Sequence, residues 1–273
     1  MQKAVKFTIP ARYYSRGSVD GASGTLAKGY NGEKTKQITL STANTAIAAM
    51  HVSSNTFIAE PDVKAYWDDW STRSNAVTRD HIAPLFGAAR SIGLHILYIC
   101  AGWSARNNYP QYREIAARVE TPPPTPPPGQ RVSVPAWKQT FMDESLGRGC
   151  RVPGAGSDIA PIVAAQPEDW IVARTAEAST LFHEHGIWNI LFVGFDTSGC
   201  ILTSPGGVLP MRSLGYRCFI VEDCTESCET PATRAGKELK KTVLQCMEFG
   251  GYSYTVNGSD IIESMEKARK VRK

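Results

Sequence analysis

Cys200 closes the stretch Asn189–Cys200, NILFVGFDTSGC, in which an apolar run stops at Gly194 and the cysteine follows a short polar turn. A cysteine between a strand end and a helix start gains two physical advantages. The first N–H groups of a helix lack intrahelical partners and can hold an anion, and the helix dipole favours the thiolate. Such a thiol is a candidate nucleophile; the competing reading is a small buried hydrophobe. Two further residues stand at the ends of apolar runs. His51 follows TAIAAM in the run Thr45–Val52, and Arg174 ends WIVAR, Trp170–Arg174. A neutral imidazole can take a thiol proton and return it to a leaving group, and Cys–His pairing is an effective way to activate a thiol. A guanidinium supplies positive charge but stays protonated, so it cannot shuttle a proton. The three compose a coherent set: Cys200 as nucleophile, His51 as general base and then acid, Arg174 as stabiliser of the thiolate or clamp on a substrate carboxylate. The alternative is a chain that keeps these residues for binding or packing and does no hydrolysis.

Other candidates surround this set. Asp196 either orients the imidazole or pairs with Arg174, or it caps the local backbone as a turn residue. Trp103, after Ala101 and Gly102 at a strand end, is placed to wall a pocket, and Asn107, Asn108 and Tyr109 share its loop. Trp103, Asn107, Tyr109, Phe195 and Asp196 form the expected substrate-binding set. His183 and His185 in FHEHG stand two apart on a predicted helix and do not face each other, so they are not read as metal ligands. Cys224 and Cys228 form a CxxxC pair with no second pair to complete a zinc set.

The elements that must position these residues follow from periodicity. Apolar runs predict strands at Thr45–Val52, Leu94–Gly102, Trp170–Arg174, Trp188–Gly194, Tyr216–Glu222 and Tyr252–Val256. Helical spacing predicts helices over Asn75–Ile92, Thr175–His185, Ile201–Leu214 with a break near Pro205–Gly207, Thr233–Phe249 and Ser259–Lys270. Glu60–Trp70 is expected to be a loop. Between Trp103 and Gln166 the pattern weakens, and TPPPTPPPG, Thr121–Gly129, is a stiff extended segment within a surface excursion at about 119–135. Residues 1–42, rich in Gly, Ser, Thr and Lys, are expected to form an extension of turns and short strands outside the packed core. Residues 43–273 then form one α/β domain whose site lies at the carboxyl ends of parallel strands.

The segment Gly194–Ser227, GFDTSGCILTSPGGVLPMRSLGYRCFIVEDCTES, resembles the nucleophile region of the isochorismatase-like cysteine hydrolases. That group includes nicotinamidases, N-carbamoylsarcosine amidase, biuret hydrolase and ureidoacrylate amidase. The resemblance rests on Gly194, Thr197, Cys200, Gly215, Tyr216 and Asp223, and it extends in order over Ala43 to Val256 through HIAPLFGAARSIGLHILYICAG and DWIVARTAEASTLFHEHGIWNILFVG. It implies a three-layer fold with a six-stranded parallel Rossmann-like sheet and helices on both faces. It implies hydrolysis of a carbon–nitrogen bond in a small amide, imide or ureido substrate through an acyl-enzyme on Cys200. It also implies a cis peptide at Phe195–Asp196 and an oxyanion hole made by the N–H groups of Asp196 and Cys200. Where the family carries a catalytic Asp this chain has His51, and where it carries Lys this chain has Arg174. A diverged binding member, or isochorismatase-type ether cleavage that does not need the thiol, are the alternatives. The metal set of nicotinamidases has no match, so no metal and no cofactor are expected. The resemblance further implies a homo-oligomer, a dimer or tetramer.

Composition sets the outer limits. The chain has 273 residues, 42% hydrophobic and 21% charged, which is ordinary for a globular domain. The net charge of +4 is small, and the basic run Glu266–Lys273 reads as a solvated helix end, so no nucleic-acid partner is expected. No stretch approaches a membrane span, and the expected partner is a small-molecule substrate. The N-terminus lacks the apolar core of a secretory signal. Seven cysteines without tight spacing predict reduced thiols and a cytoplasmic setting. There is neither GxGxxG nor GxxxxGK[ST], so a dinucleotide or P-loop site has no support.

Overall fold

A computed structural model of the protein describes residues 4–15, 32–53, 61–120 and 157–272. The three most apolar runs form the centre of a sheet. They are Thr45–Met50 (β3), His95–Ile99 (β4) and Asn189–Phe195 (β6), and almost every residue in them is buried. A strand apolar on both faces is stable only when both faces are covered, which is the environment of a parallel sheet. Trp170–Val172 (β5), Arg217–Glu226 (β7) and Tyr254–Val256 (β8) join them in parallel. Lys6–Ser15 (β1) and Gly32–Ser41 (β2) form an antiparallel hairpin on the edge beyond β8. The full order is β2-β1-β8-β7-β6-β3-β4-β5.

Helices cover both faces. Pro61–Val77 (α1), Ala83–Ser91 (α2) and Gly258–Arg272 (α8) enclose one core with Leu85, Phe86, Ile261 and Met265. The other core contains Leu181, Phe182, Met211 and Leu244 from Thr175–Glu184 (α4), Val208–Ser213 (α6) and Glu238–Phe249 (α7). Pro110–Arg118 (α3) and the short Cys200–Thr203 (α5) contribute Ile115 and Ile201 to it. The three-layer α/β architecture is the expected one. Among the described residues no helix is long and apolar enough to cross a membrane.

Three expectations need correction. The sheet has eight strands, of which six are parallel, because the N-terminal segment adds two. Val5, Phe7, Ile9 and Ala11 alternate with outward residues and are buried, and Ile38 and Leu40 from β2 join them. Composition averaged over residues 1–42 hid this period-two pattern. Glu60–Trp70 is not a loop. From Pro61 onward it is helix, continued through a π-helical stretch Thr78–Ile82 into α2. Trp67, Trp70, Ser74 and Val77 form its buried stripe at alternating spacings of three and four. Helix α7 starts at Glu238 and not at Thr233. The Glu229 carboxylate accepts from the N–H groups of Leu239 (3.1 Å) and Lys240 (2.9 Å), satisfying the first turn from outside. The Pro-rich segment Thr121–Gly129 lies outside the described residues.

One close approach fixes the centre of the sheet. Gly194 pairs with Met50 and has φ +104°, and a Cβ there would sit 2.1 Å from the Met50 carbonyl oxygen. Only glycine tolerates both the left-handed backbone and the contact. Gly194→Ala is therefore expected to lose about 3 kcal/mol or more, or to fail to fold. Urea unfolding would check this, and a loss under 1 kcal/mol would contradict the close-approach argument.

Candidate active site

The site is assembled by two neighbouring strands that end at the same edge. Strand β6 ends at Phe195, and the chain turns through Asp196–Gly199 into α5, whose first residue is Cys200. The Phe195–Asp196 peptide is cis, as the resemblance implies. The turn is tied to the next strand by Thr197 N–H donating to the Glu226 carbonyl at 2.9 Å. Asp196 caps the turn. Its Oδ1 accepts from Ser198 N (2.6 Å), Ser198 Oγ (2.7 Å) and Gly199 N (3.1 Å). A Cβ on Gly199 would lie 2.9 Å from Asp196 Oδ2, so the carboxylate occupies the space a side chain would need. Of the two readings of Asp196, the geometry matches the turn cap. Among the described residues, the N–H groups of Asp196 and Cys200 donate to no backbone acceptor. The Cys200 side chain is partly exposed.

His51 stands immediately after β3, beside this turn. Its φ of +48° is uncommon for a non-glycine residue and swings the chain off the strand line. The imidazole stacks on Trp103 with centroids 5.5 Å apart, and Nε2 lies 3.2 Å from the Ala101 carbonyl. A carbonyl only accepts, so Nε2 carries the proton and Nδ1 keeps its lone pair. Burial lowers the His51 pKa below its ordinary value of 6.5, and the Ala101 bond opposes this more weakly. The ring is therefore neutral at neutral pH. No hydrogen bond among the described residues joins it to Cys200; such contacts tighten when substrate binds.

The other expected residues are placed as follows. Arg174 is the N-cap of α4, at the end of β5. Its Nε donates to Glu177 at 2.7 Å and a terminal nitrogen donates to the Val119 carbonyl at 2.9 Å. Glu177 is fully buried and also accepts from the N–H groups of Ala173 and Arg174, so the Arg174 charge is already opposed. Trp103 is buried and walls His51. Asn107 is exposed in the turn Ala105–Asn108. The Tyr109 hydroxyl donates to Asp158 at 2.7 Å. Phe195 requires correction as a substrate contact, since its ring is 1% exposed and packs edge-on to Trp70 in the core. Asp223, part of the resemblance pattern, caps α8 by accepting from Gly258 N at 2.6 Å.

Two further residues reach this edge: Cys228, read from the sequence only as half of a CxxxC pair, and Tyr66, which the sequence does not single out. Cys228 lies close to Asp196 and to Tyr66 of α1. Burial raises the Cys228 thiol well above its usual range and pushes the Tyr66 hydroxyl up to about 12. Burial also raises the Asp196 carboxyl above its ordinary value. The signal for Cys228 was positional: strand β7 neighbours β6, so residues just past its end arrive at the same edge.

No protein-family model and no curated protein matches the sequence. Solved structures do. A cysteine hydrolase from Pseudomonas syringae pv. phaseolicola 1448A is similar with a TM-score of 0.52 at 14% identity, over 84% of this chain and 95% of that chain. The fold is isochorismatase-like. An isochorismatase family protein from Burkholderia thailandensis has a TM-score of 0.48 at 15% identity, over 82% of this chain and 96% of its own. N-carbamoylsarcosine amidase from Thermoplasma acidophilum has a TM-score of 0.45 at 13% identity, over 79% and 96%. At these identities the likeness concerns the isochorismatase-like fold alone. The N-terminal hairpin lies outside the six-stranded plan that the resemblance implied.

The His51 environment makes a direct prediction. NMR titration of the imidazole should give a pKa below 6.5. Trp103→Ala, which opens the ring to water, should move that value upward toward 6.5. A pKa at or above 6.5 in the unaltered protein would contradict the buried, neutral state.

Proposed function

We propose that the protein is a hydrolase of carbon–nitrogen bonds in small amide, imide or ureido substrates, with Cys200 as nucleophile. The observation that supports it most directly is local. A partly exposed cysteine opens a helix beside two backbone N–H groups free of backbone acceptors, with a neutral histidine at the end of the adjacent strand. The thiol proton passes to Nδ1 of His51, and the sulfur attacks the carbonyl carbon. The resulting oxyanion is stabilised by the Asp196 and Cys200 N–H groups. His51 then protonates the leaving amine, and the acyl group stays on sulfur until water, deprotonated by the same imidazole, releases it. Arg174 has a lesser part, because Glu177 already opposes its charge. It supplies a fixed cationic group at the end of β5, and its loss should slow turnover less than loss of His51.

A second reading is favoured by that same pairing. If the Arg174 charge is spent on Glu177, the fold serves as a small-molecule binding protein without turnover. An assay of primary amides, imides and ureides separates the two. Under the first reading Cys200→Ala abolishes turnover and His51→Ala lowers kcat roughly 100-fold or more. Turnover that survives Cys200→Ala would instead indicate thiol-independent chemistry. The pH profile carries a sign. The His51 pKa is lowered from its ordinary value, so the pH at which kcat/KM falls to half should lie below 6.5.

A further inference from the structure

A recess lies at the amino ends of the parallel strands, the edge opposite to Cys200. It is formed where the chain enters β7 and β8, at Gly215–Cys218 and Gly251–Tyr254, with Tyr13 and Tyr14 of β1 and Glu248 of α7 completing it. Its volume is about 380 Å³, enough for a one- or two-ring molecule. The proposed hydrolysis uses none of it.

The chemistry of its walls is specific. Arg212 and Arg217 line it, and neither forms an ion pair with a carboxylate among the described residues. Arg217 lies 5.1 Å over the exposed Trp188 ring, and Arg212 Nε reaches the Gly251 carbonyl only at 3.4 Å. Their charges are therefore held at the recess and not neutralised there. Tyr252 is 44% exposed and offers a ring face, while Tyr13 and Tyr254 pack against each other at 6.3 Å beneath Lys36. The buried Glu248 carboxylate is held by Arg12 at 2.8 Å, so an acceptor is fixed in the wall with its own charge met. Ser253 is buried in the wall.

We propose that this recess binds a small planar aromatic anion: a ring that stacks on tyrosine and an acidic group that meets Arg212 and Arg217. Stacking and cation–anion pairing act on different parts of one molecule, so each should be separable by experiment. The acid is either a phosphate, as in a nucleoside monophosphate, or a ring carboxylate; both meet a guanidinium in the same way.

Calorimetric titration of the full chain tests this with adenosine 5′-monophosphate and 4-aminobenzoate. The uncharged counterparts are adenosine and 4-aminobenzamide, and inorganic phosphate is the ring-free control. At least one of the two anions should bind saturably, about tenfold or more tighter than its uncharged counterpart and than phosphate. Which anion binds identifies the acidic group. Combined Arg212→Gln and Arg217→Gln should weaken binding about tenfold or more, and Tyr252→Ala should weaken it independently. Cys200→Ala should leave it unchanged. The proposal is overturned if neither anion binds, if binding survives the double arginine substitution in a protein with an unaltered melting temperature, or if Cys200→Ala abolishes it. Should the double variant not fold, Tyr252→Ala alone decides, and unchanged binding in it overturns the proposal.

Discussion

The contact on which the rest of the site depends is the approach of Gly194 to the Met50 carbonyl. It sets β6 against β3 in one register and no other, because any side chain at position 194 would collide with the neighbouring backbone. Everything that follows each strand inherits that register. His51 comes one residue after Met50, and the Asp196–Gly199 turn begins two residues after Gly194. A slip of one residue would turn every side chain of β6 to the opposite face and separate the imidazole from the cysteine turn. A missing side chain in the middle of a buried strand therefore positions groups that lie beyond its end.

Three buried acids stand at the carboxyl edge, and each has a structural task. Glu226 is fully buried between Arg73 and Lys237, the latter at 2.9 Å, while its carbonyl holds the cysteine turn. Glu177 fastens Arg174 to the start of α4, and Glu229 caps α7. Buried charges left unpaired would be costly, and here each is met by cations or by N–H groups. The edge is therefore stiff before any ligand arrives, which suits a reaction that depends on donors already in place. Burial acts on the two central groups in opposite directions. It holds His51 neutral by lowering its pKa, and it raises that of Asp196.

Much of this was legible in the letters. Continuous apolar runs identified the parallel strands, because a strand covered on both faces has no polar side to show. The turn around Cys200 was legible because glycine and small polar residues there break two regular patterns at once. Less legible were features whose meaning depends on which side chain they meet. Arg174 looks like a free cation until Glu177, three residues on, is seen to fold back on it. Phe195 looks like a site residue by position, yet its ring turns away into the core toward Trp70. Helix α1 hid its buried stripe because Ser74, a polar residue, occupies one of its inner positions. The strand at Lys6–Ser15 is hidden for a different reason: its apolar alternation is sound, but the glycines, serines and lysines after it dominate the average.

That N-terminal strand has a consequence for the order in which the molecule can be made. Strand β1 meets β8 at Arg12–Thr255, and Thr8 exchanges two hydrogen bonds with Ser264 of α8, across a sequence separation of 256 residues. During synthesis the first hairpin emerges early with one face apolar and its docking site not yet translated. Its apolar face stays uncovered until the segment carrying β8 and α8 has left the ribosome. Closure of the sheet edge then reports that the chain has been read through to α8.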